Sequence, residues 1–254
     1  MLQIHQFPCL SDNYGFLIHD PASGATAAID TPDADEIMRQ ADAKGWRITD
    51  IWNTHWHPDH AGGNAAIKAK TGAKVTGPAE VERIGQGPDR VVGEGDMVTL
   101  GDTQARVLDV GGHTLGHIAY VVDRENVAFV GDALFSLGCG RLFEGTPQQM
   151  WASLQKIAAL PDDATLYCAH EYTQSNARFA ITIDPCNRAL QARIAEIEKL
   201  RAEGKPTVPM TLRVEKDTNP FLRAPELKGA LMLPDAQDWE AFADIRKRKD
   251  NFKG

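Results

Sequence analysis

Short apolar runs separated by turn-forming residues dominate the first half of the chain. "LQIHQF", "YGFLIHD" and "ATAAID" each read as a strand, with Asp, Asn, Gly and Pro between them. "TPDADEIMRQADAKG" reads as a helix, with acidic residues early and Gly45 beyond its end. "ITDIWNTH" has the pattern of a buried strand, and "HAGGNAAIKAKTG" reads as the helix behind it. Further strands are predicted at "AKVTG", "MVTLG", "ARVLDV", "HIAYVVD" and "NVAFVGD". Thr146 and Pro147 supply an N-cap and a first helical position, and Met150, Leu154, Ile157 and Leu160 repeat behind them. "TLYCAH" is a last short strand. Past about residue 171 strand signals almost vanish. "CNRALQARIAEIEKLRAEG" puts Leu190, Ile194, Ile197 and Leu200 on one helical face, and "DWEAFADIRKRKDNFKG" reads as another helix. The pattern predicts an α/β domain over residues 1–170 and a small, mainly helical lobe over residues 171–254.

Composition narrows the partners. A hydrophobic fraction of 43% and a charged fraction of 24% over 254 residues are those of a globular protein, which removes disordered and collagen-like classes. The formal charge of −8 argues against a nucleic-acid surface but leaves room for a local basic pocket for a small acidic ligand. Cys9, Cys139, Cys168 and Cys186 form no C-x-x-C pair, the usage of reduced thiols in a cytosolic protein. With no signal-like N-terminus and no run near the ~20 apolar residues of a membrane span, a cytoplasmic monomer without a membrane partner is expected.

The stretch "NTHWHPDHAGGN" places His55, His57, Asp59 and His60 within six positions. His55 and His57, two apart at the end of a strand, point the same way. Pro58 then forces a turn, so Asp59 and His60 are expected to point elsewhere. The spacing predicts two ligand pairs facing two neighbouring points. His113 in "DVGGHTLGH", Asp132 after "NVAFVG" and His170 at the end of "TLYCAH" each follow an apolar strand, the position from which α/β architectures build sites. His5, His19 and His117 read as core or surface histidines satisfied locally. Imidazoles and carboxylates without a thiolate suit zinc, iron or manganese. Two such ions ~3.5–4 Å apart can share a carboxylate and a water whose pKa falls near ~7.

"THWHPDH" resembles the H-x-H-x-D-H signature of the metallo-β-lactamase superfamily, with His113, Asp132 and His170 following in the expected order. That likeness alone leaves lactamases, lactonases, nucleases and thioesterases open. "SDNYGFLI", "GHTLGHIAYVV", "GDALFSLGCGRLFEGTPQQM", "CAHEYTQSNARFA" and "TNPFLR" are similar, in order, to segments of the glyoxalase II family, the hydroxyacylglutathione hydrolases. The resemblance implies a four-layer αββα sandwich followed by a small C-terminal helical lobe. It implies two divalent ions per chain, zinc first, with iron or manganese as substitutes. His55, His57 and His113 would hold one ion, Asp59, His60 and His170 the other, and Asp132 would bridge them. It further implies a glutathione site with Arg141, Phe143, Tyr172, Arg246 and Lys249, Phe143 standing where the eukaryotic pattern has a tyrosine. A solvated basic helix end is the competing reading of Arg246 and Lys249. The implied reaction is hydrolysis of an S-(2-hydroxyacyl)glutathione such as S-D-lactoylglutathione to glutathione and D-lactate, the second step of methylglyoxal detoxification, with Asp59 aligning the hydroxide between the ions. A glutathione persulfide dioxygenase and a lactonase are the rival activities, and "HEYT" and "TNPF" favour the hydrolase.

Overall fold

A computed structural model describes residues 1–85 and 87–254. The chain packs as two units, Met1–Asp109 with Gly116–Gly131, and Val110–Leu115 with Asp132–Gly254. This cut differs from the change of sequence texture near residue 171, because residues 132–170 and the Gly-rich loop bearing His113 pack with the second unit.

The first unit contains β1 (Gln3–Cys9), β2 (Asn13–Asp20), β3 (Ala25–Ile29), α1 (Ala34–Lys44), β4 (Asp50–Trp52), α2 (Pro58–Ala61), α3 (Asn64–Thr71), β5 (Lys74–Gly77), β6 (Arg90–Val91), β7 (Met97–Leu100), β8 (Thr103–Asp109), β9 (Ile118–Val122) and β10 (Val127–Gly131). One sheet runs β1-β2-β3-β4-β5-β6, antiparallel as far as β3 and parallel beyond it. Strands β7 to β10 form an antiparallel meander. Alternation along the strands assigns the two faces of the first sheet. Leu17, Ala28, Ile51 and Val75 face a cluster with Ile37 and Ala41 of α1 and Ile67 of α3. Their neighbours face the meander, where Phe16 meets Phe129 edge-on at 5.7 Å and Trp52 meets Tyr120 at 5.3 Å. Helix α1 has the ends its sequence predicts. The Asp33 carboxylate accepts from the Asp35 and Glu36 N–H groups at 3.1 Å, and Gly45 closes it at φ 68°.

The second unit contains β11 (Leu134–Phe135), β12 (Gly138–Cys139), α4 (Pro147–Ala158), β13 (Thr165–Cys168), α5 (Thr173–Ile183), α6 (Arg188–Ala202), β14 (Met210–Thr211), α7 (Leu212–Thr218), α8 (Ala224–Leu227) and α9 (Asp238–Asp250). Thr146 caps α4, its Oγ1 accepting from Gln149 N–H at 3.2 Å, and Met150, Leu154 and Ile157 are fully buried. The loop before Leu115 lies on this helix. Ser153 Oγ donates to Gly111 O at 2.6 Å, and Gly112 has φ +146° with no room for a Cβ, which would sit 2.7 Å from Met150.

Three sequence readings change. The strand predicted over "ITDIWNTH" stops at Trp52: Asn53 N–H still reaches Thr76 O at 2.9 Å, but Thr54 N–H leaves the ladder for the Asp30 carboxylate. The helix predicted over "HAGGNAAIKAKTG" is broken into α2 and α3 at Gly62–Gly63. Helix α5 escapes periodicity because its buried face mixes Thr173 and Asn176 with Ala177, Ala180 and Ile183. Among the described residues, no helix is long and apolar enough to cross a membrane.

Tyr120 ties the two layers of the first unit. Its buried hydroxyl donates to Asn53 O at 2.8 Å, just past the end of β4. Tyr120→Phe is expected to lower unfolding stability by about 1–2 kcal/mol in urea denaturation, with an unchanged m-value. An unchanged midpoint would contradict this role.

Candidate metal centre

In the first unit the backbone leaves β4 at Trp52 and runs through Asn53 and Thr54 to His55 and His57, and Pro58 then opens α2 as its first residue. His55 Nε2 lies 3.0 Å from His57 Nδ1. Two nitrogens bound ~2.0–2.1 Å from one tetrahedral zinc stand about 3.3 Å apart, so this spacing is close to that of two donors on one ion. His60 Nδ1 lies 2.8 Å from Asp30 Oδ2, and Thr54 Oγ1 donates to the same oxygen at 2.8 Å. The hydroxyl proton being directed there, the Thr54 oxygen accepts from His55 Nδ1 at 3.0 Å. Thr54 N–H donates to Asp30 Oδ1 at 2.7 Å. Asp30 therefore fixes both imidazoles with Nδ1 protonated, leaving each Nε2 lone pair for a metal.

The pairs are less separate than the spacing predicted. Helix α2 folds His60 back, and its ring centroid lies 4.0 Å from that of His55. Asp30, His55 and His60 together offer donor atoms within 4.8 Å of one another and could hold an ion. Asp30 already accepts three hydrogen bonds, so orienting the histidines is its better role. Asp59 is held by Asn13, whose Nδ2 donates to Asp59 Oδ2 at 3.1 Å and to its carbonyl at 3.3 Å. Asp30 and Asn13 were missed by sequence reasoning. Asp30 ends the run "ATAAID" as Asp132 ends "NVAFVGD", and that parallel was a readable signal.

His5 Nε2 meets Gln40 Oε1 at 2.7 Å, and His19 Nδ1 meets Thr26 Oγ1 at 2.9 Å with its ring stacked on Trp46, as expected of locally satisfied histidines. His117 is fully buried and stacks on His55 at 4.6 Å.

The second unit brings His113, Asp132 and His170 together, all buried. Asp132 Oδ2 lies 3.3 Å from His113 Nε2, and Oδ1 lies 3.4 Å from His170 Nε2. One oxygen addresses each imidazole, the arrangement a bridging carboxylate requires, and the separations are long for direct N–H···O bonds. His113 Nδ1 meets Arg141 O at 2.8 Å, which aims its Nε2 at Asp132. Gly140 leaves the room for this, since a Cβ there would come within 3.0 Å of His113 Nδ1. Burial pushes the thiols of Cys9, Cys139 and Cys168 up to about 12, 11 and 12, so these three stay protonated and unsuited to metal binding. The donor set fits borderline divalent ions without thiolate.

The predicted ligand residues Arg141, Phe143, Tyr172, Arg246 and Lys249 also lie in this unit. Tyr172 stacks on His170 at 4.7 Å with planes 3° apart. Phe143, 61% exposed, meets the His113 ring edge-on at 5.2 Å. Arg141 Nε lies 3.5 Å from Asp250 Oδ1. Arg246 is not the solvated cation of the competing reading. It is 6% exposed, donates to Cys139 O at 2.9 Å and to Asp250 Oδ1 at 2.9 Å, and lies over Phe221. Lys249 Nζ donates to Ser175 O at 3.1 Å, and burial, with Arg246 and Arg178 nearby, holds its pKa down to about 8 against the opposing pull of Asp250 and Cys139.

Two family models divide the chain between them: the metallo-beta-lactamase superfamily matches residues 15–170, and the hydroxyacylglutathione hydrolase C-terminus matches residues 171–252. A hydroxyacylglutathione hydrolase of Erythrobacter litoralis is 60% identical over 252 residues, covering 99% of this chain and 100% of that protein. Among solved structures, ETHE1 from Myxococcus xanthus superposes with a TM-score of 0.66 at 23% identity, covering 97% of this chain and 98% of that one. TTHA1623 in a di-iron-bound form superposes at 0.62 and 22% identity, covering 87% and 100%. Both structures share the fold.

Asp30→Asn keeps the shape of the side chain and removes the charge that orients His55 and His60. Zinc affinity measured by chelator competition is expected to fall about 10–100-fold. An unchanged affinity would leave Asp30 without an orienting role.

Proposed function

The chain belongs to the hydroxyacylglutathione hydrolase family of the metallo-β-lactamase superfamily, and from that premise we infer that it hydrolyses S-(2-hydroxyacyl)glutathione thioesters with two divalent ions bound. The observation that carries this reading is the match of residues 171–252 to the hydroxyacylglutathione hydrolase C-terminus, the stretch that includes Tyr172, Arg246 and Lys249. His55, His57 and His113 would hold one ion and Asp59, His60 and His170 the other, with Asp132 shared. This assignment is supported by its fit to the superfamily pattern and by the orientation of His55, His57 and His60 within the first unit and of His113, Asp132 and His170 within the second. Zinc is the metal we infer, since imidazole and carboxylate donors hold it in four-coordinate sites, with iron and manganese as substitutes. When bound, the ions supply an acidified water near ~7 and Lewis acidity at the thioester carbonyl.

The chain's own residues do the rest. Asp59 Oδ2, aligned by Asn13, orients the attacking water and accepts its proton. A thiol leaving group has a pKa near ~8.5, so the glutathione sulfur departs as thiolate without a dedicated general acid. Water thus adds across the acyl–sulfur bond to give a 2-hydroxy acid and the thiol. Arg141 and Lys249 offer cationic contacts to the glutathione carboxylates, Tyr172 a hydroxyl, and Phe143 an apolar wall. Arg246, buried against Cys139 O and Asp250, acts by holding these groups in place. The described cysteines are all free, which supports a reducing, cytoplasmic setting, and the likeness to hydroxyacylglutathione hydrolases supports a place in methylglyoxal detoxification as S-D-lactoylglutathione hydrolase. A monomer suffices for this reading, since one chain carries every residue invoked.

Zinc-loaded protein is expected to release glutathione from S-D-lactoylglutathione, and chelation followed by gel filtration to abolish the reaction until zinc is returned. Zinc-loaded protein that leaves the thioester intact would overturn the reading. Lys249 adds a pH signature. It is protonated below about 8 and loses its charge as pH rises through that value, so KM for the anionic substrate rises above pH 8. Lys249→Met is expected to have a raised KM at pH 7 and no such inflection. A wild-type KM flat from pH 7 to 9 would remove Lys249 from the binding set.

A further inference from the structure

The hairpin β11–β12 pairs two residues with two, Leu134 with Cys139 and Phe135 with Gly138, too short to hold itself. Side chains of the following helices hold it instead. Asn219 Nδ2 donates to Phe135 O at 3.1 Å and to Gly138 O at 3.0 Å. Asn176 Nδ2 donates to Ser136 O at 3.0 Å, and Arg246 Nη1 donates to Cys139 O. Glu215 Oε2 accepts from Leu137 N–H and from Asn219 Nδ2, both at 3.0 Å. Arg193 pairs with Glu215 Oε1 and reaches Ser136 Oγ at 2.8 Å. Glu215 and Asn219 are fully buried. Leu137 has φ 57°, a left-handed conformation that leucine disfavours and that the bond to Glu215 helps to hold. A buried ion pair is a poor stabiliser, because desolvation offsets its attraction, whereas fixing one geometry is a well-attested use.

That geometry bears on the candidate metal centre. Phe135 meets the His170 ring at 5.8 Å and the Tyr172 ring at 5.3 Å, nearly perpendicular to both, and so braces the edge of their parallel stack. We infer that Asn219 and Glu215 are positioning residues that lock this hairpin so that Phe135 sets the ring plane of His170 and the direction of its Nε2 lone pair. The inference rests on His170 being a metal ligand, as proposed above. It gives the "TNPF" segment, which contains Asn219, a physical task.

The test is zinc competition against a chromophoric chelator for the full chain and for His170→Ala, Phe135→Leu, Asn219→Ala and the Phe135→Leu/Asn219→Ala pair, with urea unfolding of each metal-free form alongside. His170→Ala is expected to lose one of two zincs. Phe135→Leu and Asn219→Ala should each weaken that same zinc about tenfold, and the double variant should lose little more, since both act along one line. If His170→Ala keeps both zincs, the ligand reading and the inference fall together. If it loses one zinc while folded Phe135→Leu and Asn219→Ala bind as tightly as the parent, the inference alone is overturned, even where unfolding stability has dropped. Fully additive losses in the double variant also overturn it. Should Asn219→Ala not fold, Phe135→Leu paired with Glu215→Gln decides by the same criteria.

Discussion

A partner on one imidazole nitrogen fixes the tautomer and ring plane that present the other nitrogen to a metal, and the candidate centre depends on that constraint. Asp30 meets it for two histidines at once. Its buried carboxylate accepts a hydrogen bond from His60 Nδ1 directly and holds His55 Nδ1–H through the Thr54 hydroxyl, which donates to Asp30 and accepts from His55, while Thr54 N–H fixes the carboxylate itself. The residue sits immediately after β3 with φ 58°, a conformation tolerated by aspartate better than by most side chains. The short helix α2 then need only turn His60 back toward His55, which Pro58 starts without a wasted N–H.

The second unit meets the same constraint by other means. A backbone carbonyl, that of Arg141, accepts a hydrogen bond from His113 Nδ1, and Gly140 keeps the space clear. Asp132 offers one oxygen to each of two imidazoles. Around this triad the helices after residue 171 supply polar side chains that end on the hairpin between Leu134 and Cys139. The cations proposed to bind the ligand share this framework. Asp250 is contacted by both Arg141 and Arg246, so one carboxylate aligns an exposed guanidinium and a buried one.

Much of this was legible in the sequence. The spacing of His55, His57, Asp59 and His60, and donors at strand ends at Asp132 and His170, needed only pattern and chemistry. Helix α1 announced its end through Gly45, and helix α4 its start through Thr146 and Pro147. What stayed hidden were features that only tertiary packing creates. Asp30 carries no signal beyond its place at the end of a strand, and only packing buries its carboxylate under Thr54 and His60. Arg246 stood between a glutathione contact and a solvated helix end, and neither reading anticipated that its guanidinium reaches back 107 residues to Cys139. The polar face of α5 concealed a helix, because Asn176 is buried to serve Ser136 O and so breaks the apolar stripe. Sequence patterning reports where apolar surface goes, and these residues are buried for their hydrogen bonds.

The central claim is that oriented imidazole and carboxylate donors, and no thiolate, hold a pair of ions that share Asp132. X-ray absorption at the zinc edge, on protein loaded with two equivalents of zinc, tests it most directly. The account predicts a shell of nitrogen and oxygen donors at ~2.0–2.2 Å with imidazole scattering, and a metal–metal vector of ~3.5–4 Å. A sulfur shell near ~2.3 Å, or the absence of metal–metal scattering at full occupancy, would contradict it.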